Sequence, residues 1–235
     1  MPTAQANGIS IYYEIHGEGD PLLIIAGLSI DLTSLKFIVP KLSESSKVIA
    51  FDNRGAGRTD KPDIPYTIEM MADDTRGLLE VLGVQKVNVV GISLGGRIAI
   101  SFALRYPDMV KRLILVSTGP KVSDTRGRRL YLAITEIPRR LGALWDEYPQ
   151  PQYAYTRQRR ASDGFDATGE LHRITAPTLV MHGRKDRLVP YAMALEMQER
   201  IPHSQMKTLD GGHLFPFLHP KEFTAMVDEF LKSEP

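Results

Sequence analysis

The chain reads as an α/β protein, with a mostly parallel central sheet, helices on both faces and a short helical lid. Three observations carry this reading. Lys47–Asp52, Lys86–Ile92, Arg112–Ser117 and Thr178–His182 are short, rich in Val, Ile and Leu, and show little polar alternation. Strands of that kind are covered on both faces, as in a parallel sheet. Segments with helical apolar spacing separate them, and alternating strands and helices build layered α/β folds. The third observation is a Gly-rich junction at Gly91–Gly95, where a buried strand gives way abruptly to a helix.

Ile9–His16 has strand composition and leads through the turn-rich Gly17–Pro21 into the apolar Leu22–Gly27, which predicts a hairpin of the two. Thr67–Leu82 places Ile68, Met71, Ala72, Leu78, Leu79 and Leu82 at helical spacing, with Thr67 as N-cap and Gly83 as stop. Helices are also predicted over Leu94–Tyr106, ended by Pro107, over Pro190–Arg200, and over Lys221–Lys232. No internal repeat is found. Between Thr118 and Thr178 lie about 55 residues without a strand pattern, too long for a plain connection inside a compact domain. The expected division is therefore a core of residues 1–118 and 174–235 with a lid over 119–173. From Arg126 to Arg160 the lid has 8 basic and 3 acidic residues, +5, against −4 for the rest of the chain. Those arginines fit either solvated helix faces or a surface for an anionic partner. The lid also holds the only Trp. Tyr131, Trp145 and Tyr148, with Leu188 from the core, are the candidates to line a substrate pocket.

Composition excludes most other classes. The 235 residues are 43% hydrophobic with 19 Gly and 16 Pro, too apolar for disorder and too poor in Gly and Pro for low complexity. A net charge of +1 gives no argument for nucleic acid or an anionic membrane. The absence of cysteine removes disulfide scaffolds, thiolate metal sites and cysteine nucleophiles, and fits a cytoplasmic protein. No basic stretch followed by an apolar one opens the chain, so no signal peptide is expected. The apolar run Leu22–Leu28 is far short of the ~20 residues a membrane span needs. No dinucleotide-binding glycine pattern, P-loop or metal-ligand spacing is present, so neither cofactor nor metal is expected.

Gly91-Ile92-Ser93-Leu94-Gly95 matches G-x-S-x-G in the context that gives the pattern meaning, a strand before and a helix after. So sharp a turn thrusts the Ser93 hydroxyl above the sheet, and the helix N-terminus favours negative charge developing there. The competing reading is a Gly/Ser turn that merely opens a helix. A serine needs a base and the base an orienting acid, which in this architecture follow in the order Ser, acid, His. Of six histidines, His213 lies downstream after a strand-like segment and the Gly211-Gly212 pair, which marks it as general base. His219 is the alternative, and His182, at a strand end, suits support of the following loop. Asp186 is the only carboxylate in the loop from His182 to Pro190, and so the candidate acid, unless it simply caps the helix at Pro190. Oxyanion donors are expected from the backbone N–H of Leu94 and, after Leu22–Ala26, of Leu28, each worth roughly 3–4 kcal/mol to the transition state.

With these residues in place the chain resembles the α/β-hydrolase superfamily, most closely the bacterial 3-oxoadipate enol-lactonase and carboxylesterase branch. The resemblance rests on Ala26-Gly27-Leu28, Asp52–Thr59, Gly91–Gly96, Ala176–Pro190 and Gly211–His213, and covers nearly all of the chain outside the lid. It implies a structural role for Arg54 and Gly55. Relatives mostly carry His-Gly where this chain has Ala26-Gly27, so the imidazole support of that loop is absent. The lid is also shorter than in most relatives, which implies a more open pocket.

The expected activity is hydrolysis of small to medium carboxylic esters through an acyl-enzyme on Ser93, with water as second substrate. Lactone hydrolysis by the same residues is the alternative, and perhydrolysis or carbon–carbon hydrolysis would use them too. Halide displacement is disfavoured because it resembles an elbow with Asp in place of Ser93. From another class comes a slow-turnover ligand sensor that keeps the three residues.

Overall fold

A computed structural model of the chain describes residues 2–130, 132–133 and 147–233. Its centre is an eight-stranded sheet of β1 (Thr3–Ala6), β2 (Ile9–His16), β3 (Pro21–Ile25), β4 (Lys47–Phe51), β5 (Val87–Ile92), β6 (Val110–Val116), β7 (Thr178–Gly183) and β8 (Ser204–Leu209). The strand order is β1-β2-β4-β3-β5-β6-β7-β8. From β4 through β8 every neighbouring pair is parallel, whereas β2 runs antiparallel to both β1 and β4.

The predicted hairpin between Ile9–His16 and Leu22–Gly27 does not form. β4 lies between those strands, pairing Ile15 with Ile49 on one side and Leu23 with Ile49 on the other. The reason is burial: Leu22–Ile25 is fully covered on both faces and lies between two parallel neighbours, β4 and β5, which local turn signals cannot reveal. The actual hairpin is β1–β2. Its two-residue turn, Asn7-Gly8, has φ of 47° and 75°, the left-handed pair that two-residue hairpins favour.

Alternation along the central strands sends side chains to two cores. Leu23, Ile25, Val89, Leu113 and Leu115 face one, and Leu22, Ile24, Val90, Ile114 and Val116 the other. The first core is closed by α2 (Ile68–Val81) and α3 (Leu94–Arg105), through Met71, Leu78, Ile98 and Phe102. Thr67 caps α2 as expected, accepting from Met70 N–H. The second core is closed by α1 (Val39–Leu42) and the C-terminal helix Pro220–Lys232, through Leu42, Phe223 and Val227. Burial of each such side chain is worth about 1.5–3 kcal/mol. Helices pressed on both faces leave the C-terminal ends of the parallel strands as the open edge where loops can gather a site.

Within residues 119–173 the described backbone holds no strand, only an isolated bridge between Lys121 and Asp166. It has helical backbone at residues 126–130 and 132–133 and a longer helix, here α4 (Gln152–Asp163), whose Ala154, Tyr155, Gln158 and Ala161 are buried. No helix among the described residues is long and apolar enough to cross a membrane.

Candidate active site

β5 ends at Ile92 and α3 begins at Leu94, so the whole reversal falls on Ser93. Its backbone is forced to φ 55°, ψ −113°, a region non-glycine residues rarely enter, at a cost of about 1–3 kcal/mol. Three hydrogen bonds hold it there. Ser93 N–H donates to Val116 O at 2.9 Å, and Ser93 O accepts from Gly96 N–H at 3.0 Å and Thr118 Oγ1 at 2.7 Å. The flanking glycines are demanded by space. A Cβ on Gly95 would sit 2.0 Å from Ile25 O, and one on Gly91 2.6 Å from Gly95 O.

The Ser93 hydroxyl stands 3.0 Å from His213 Nε2, and His213 Nδ1 stands 2.8 Å from Asp186 Oδ2. One tautomer satisfies both contacts, Nδ1–H donating to the carboxylate and Nε2 accepting from the hydroxyl. Asp186 is itself fixed, because its other oxygen accepts from Leu188 N–H and Val189 N–H, each at 2.8 Å. Its side chain is fully buried and that of His213 is 10% exposed. Three residues separated by up to 120 positions are thus joined in one chain of hydrogen bonds. His182 lies beneath it, fully buried, with Nε2 donating to Val189 O at 3.0 Å. Burial pushes its pKa below the ordinary imidazole value, so it braces the loop as a neutral ring. His219 stands instead at the start of the C-terminal helix.

Two cavities meet at Ser93. One, of about 200 Å³, is bounded by Gly27, Ser29, Tyr155, His213 and Phe217. The other, of about 70 Å³, is bounded by Leu94, Arg97, Arg128, Arg159 and Ser162. Leu28 and Leu188 line both. Leu94 is the first residue of α3, so its N–H has no acceptor within the helix and is directed at the end where Ser93 stands. Tyr148, expected in the pocket, does not line either of these two cavities. The Arg58 guanidinium lies 4.6 Å from its ring and 3.6 Å from that of Tyr12. Tyr131 and Trp145 lie outside the described residues.

The loop carrying Leu28 is supported by residues that sequence reading passed over. Asn53 Nδ2 donates to Ala26 O at 2.9 Å, so an amide does the bracing for which the chain has no histidine. From α4, the fully buried Gln158 accepts from Ser29 N–H at 3.3 Å and donates to Arg54 O at 2.8 Å. Gln150 joins it, accepting from Ser29 Oγ at 2.5 Å and donating to Gly55 O and to Gln158 Oε1. Arg54 is in turn buried against Asp74, with two contacts of 2.5 Å, in the structural role expected of it. A glutamine in the arginine-rich run Arg157–Arg160 gives no sequence signal of this.

The sequence model of a family described as alpha/beta hydrolase fold matches residues 20–133 and 128–220. The poly(3-hydroxyalkanoate) depolymerase of Ectopseudomonas oleovorans is 30% identical over 240 residues, covering 91% of this chain and 85% of that protein. Two solved structures are alike over nearly the full length. The enol-lactonase from Burkholderia xenovorans LB400 is 26% identical with a TM-score of 0.85, covering 99% of this chain and 100% of that one. The esterase EaEST from Exiguobacterium antarcticum is 25% identical with a TM-score of 0.86, covering 98% and 99%.

Proposed function

The chain belongs to the alpha/beta hydrolase fold family, and from that premise we propose that it is a serine hydrolase of small to medium carboxylic esters. The observation that carries the proposal is the hydrogen-bond chain Ser93–His213–Asp186, set on a strained turn where two cavities meet. Ser93 Oγ attacks the ester carbonyl carbon while His213 Nε2 takes the hydroxyl proton. Asp186 holds the ring in the required tautomer and stabilises the imidazolium. The carbonyl oxygen becomes an oxyanion received by Leu28 N–H and Leu94 N–H. The carbon–oxygen bond to the alcohol then breaks, and His213 returns its proton to the leaving oxygen. Water repeats the sequence on the acyl-enzyme, releasing the acid and restoring Ser93. Residues 119–173 act as the lid, which reaches the oxyanion loop through Gln150 and Gln158.

Ser93→Ala should lower kcat/KM on p-nitrophenyl butyrate by a factor on the order of 10⁴–10⁶ and abolish labelling by a fluorophosphonate. Activity undiminished in that variant would overturn the assignment. A lactone presents the same carbonyl with acyl group and leaving oxygen joined in a ring, and the likeness to an enol-lactonase makes it the second reading. A panel of short acyl esters against lactones decides between them. A covalent burst with no steady-state turnover would instead mark a sensor.

A further inference from the structure

α3 buries ten consecutive residues from Leu94 to Ala103, and one of them is an arginine. Arg97 is only 5% exposed, yet among the described residues no carboxylate lies within 4.0 Å of it. Its contacts are neutral and long: Nη1 donates to Ser162 Oγ and Nη2 to Lys121 O, both at 3.2 Å, and Nε has no partner. Arg54, equally buried, shows the usual answer to this problem in its two-point pairing with Asp74. Arg97 also has like charges beside it. Arg128 and Arg159 line the same cavity and share one carboxylate, Asp163, which pairs directly with Arg128 and stands 4.0 Å from Arg159 Nε. The Nε of Arg159 is buried without a hydrogen-bond partner as well. Burial and the Arg128 charge together pull the Arg97 pKa down to about 10. Among the described residues, three guanidiniums around one carboxylate leave a net positive charge in this recess, where an incoming anion is attracted.

That recess adjoins Ser93. Its volume of about 70 Å³ is room for roughly two waters at ~30 Å³ each. Arg97 lies in the first turn of α3, and both it and Ser93 line this recess. The side of the ester it serves follows from the proposed function, on which this inference rests. His213 must face the leaving oxygen to protonate it, and His213 lines the larger cavity but not the small one. The leaving alcohol therefore takes the larger cavity and the acyl chain the small one.

We propose that Arg97, backed by Arg128 and Arg159, is a subsite for a carboxylate on the acyl part of the substrate, so that the preferred substrates are half-esters of short dicarboxylic acids. The small volume of the recess limits that acyl chain to a short one.

The test compares monomethyl glutarate with its neutral counterpart methyl valerate, followed by NMR at low and high salt. The unmodified protein should show a kcat/KM at least tenfold higher for the half-ester, falling as salt rises. Arg97→Gln should lower that ratio at least tenfold, and Arg97→Lys should restore part of it, which a merely structural arginine would not do. A ratio near unity in the unmodified protein, or one unchanged in Arg97→Gln, overturns the proposal. Should Arg97→Gln fail to fold, the ratio in the unmodified protein and its salt dependence decide alone. If neither ester turns over and fluorophosphonate fails to label, the hydrolase reading falls. Calorimetric binding of glutarate to the unmodified protein then tests the subsite separately, because saturable binding that weakens with salt supports it and no binding refutes it.

Discussion

Replacing Gln158 by Ala should both loosen the fold and slow the chemistry, for the same structural reason. The side chain has no exposed surface and satisfies three groups: Ser29 N–H, Arg54 O and the Gln150 amide. Truncation strands the Arg54 carbonyl in a residue only 3% exposed, and leaves Ser29 N–H to a site that water reaches in part. A stranded buried polar group costs about 1–3 kcal/mol, and the partly wetted Ser29 N–H adds about 1 kcal/mol, which gives about 2–4 kcal/mol in all. For a domain of this size each kcal/mol lowers Tm by roughly 2–4 °C, which gives a fall of about 5–15 °C by calorimetry. Ser29 adjoins Leu28, the proposed oxyanion donor, so kcat on p-nitrophenyl butyrate should fall about tenfold, part of the ~10²–10³ that loss of one such donor costs. Gln158→Met nearly keeps the volume and deletes the hydrogen bonds, and should behave like the alanine variant. The reasoning is refuted if Gln158→Met retains the original kcat and a Tm within about 2 °C of it.

Two further perturbations address the scaffold. Asp74→Ala leaves the Arg54 guanidinium buried and unpaired, and removes the acceptor of Asn7 Nδ2. It should cost about 3–5 kcal/mol by urea denaturation, and a loss under about 1 kcal/mol would show that the pair is not structural. His182 gives the pH dependence. Its pKa is depressed in the folded chain, so both states are neutral above about 6.5 and its contribution is complete there. As pH falls below that value the unfolded chain binds the proton first, and stability declines by up to ~1.4 kcal/mol per unit until the folded value is reached. The difference in denaturant midpoint between the unmodified protein and His182→Phe should therefore shift between pH 7 and pH 5, and a constant difference would contradict the assignment.

What could be read from sequence was whatever depends on local order along the chain. The G-x-S-x-G turn sits between strand and helix as its pattern requires, and the Ser-acid-His order pointed to Asp186 and His213, which the fold brings to hydrogen-bonding distance. The strand pairing of Leu22–Ile25 was not legible, because Lys47–Phe51, the strand that separates it from Ile9–His16, comes later in the chain. The short β1 carried too few apolar residues in Thr-Ala-Gln-Ala to register as a strand at all. Arg97, Gln150 and Gln158 escaped for a different reason. The significance of a polar side chain lies in what folds over it, and here that is decided by where residues 150–163 come to rest against loops about a hundred positions away. Tyr148 lines neither cavity at Ser93, and its ring lies against Arg58, a contact between segments far apart in the chain that sequence order does not signal.

The backbone at Ser93 has a consequence for anyone who breeds this protein for robustness. Glycine adopts φ 55° freely, so Ser93→Gly releases about 1–3 kcal/mol of strain against an unfolded-state entropy cost of roughly 0.5–1 kcal/mol. The substitution that most simply hardens this turn also removes its hydroxyl. Under the proposed function, a selection that rewards survival to heat without reading out turnover will enrich inert chains, so durability and chemistry must be scored together at this one position.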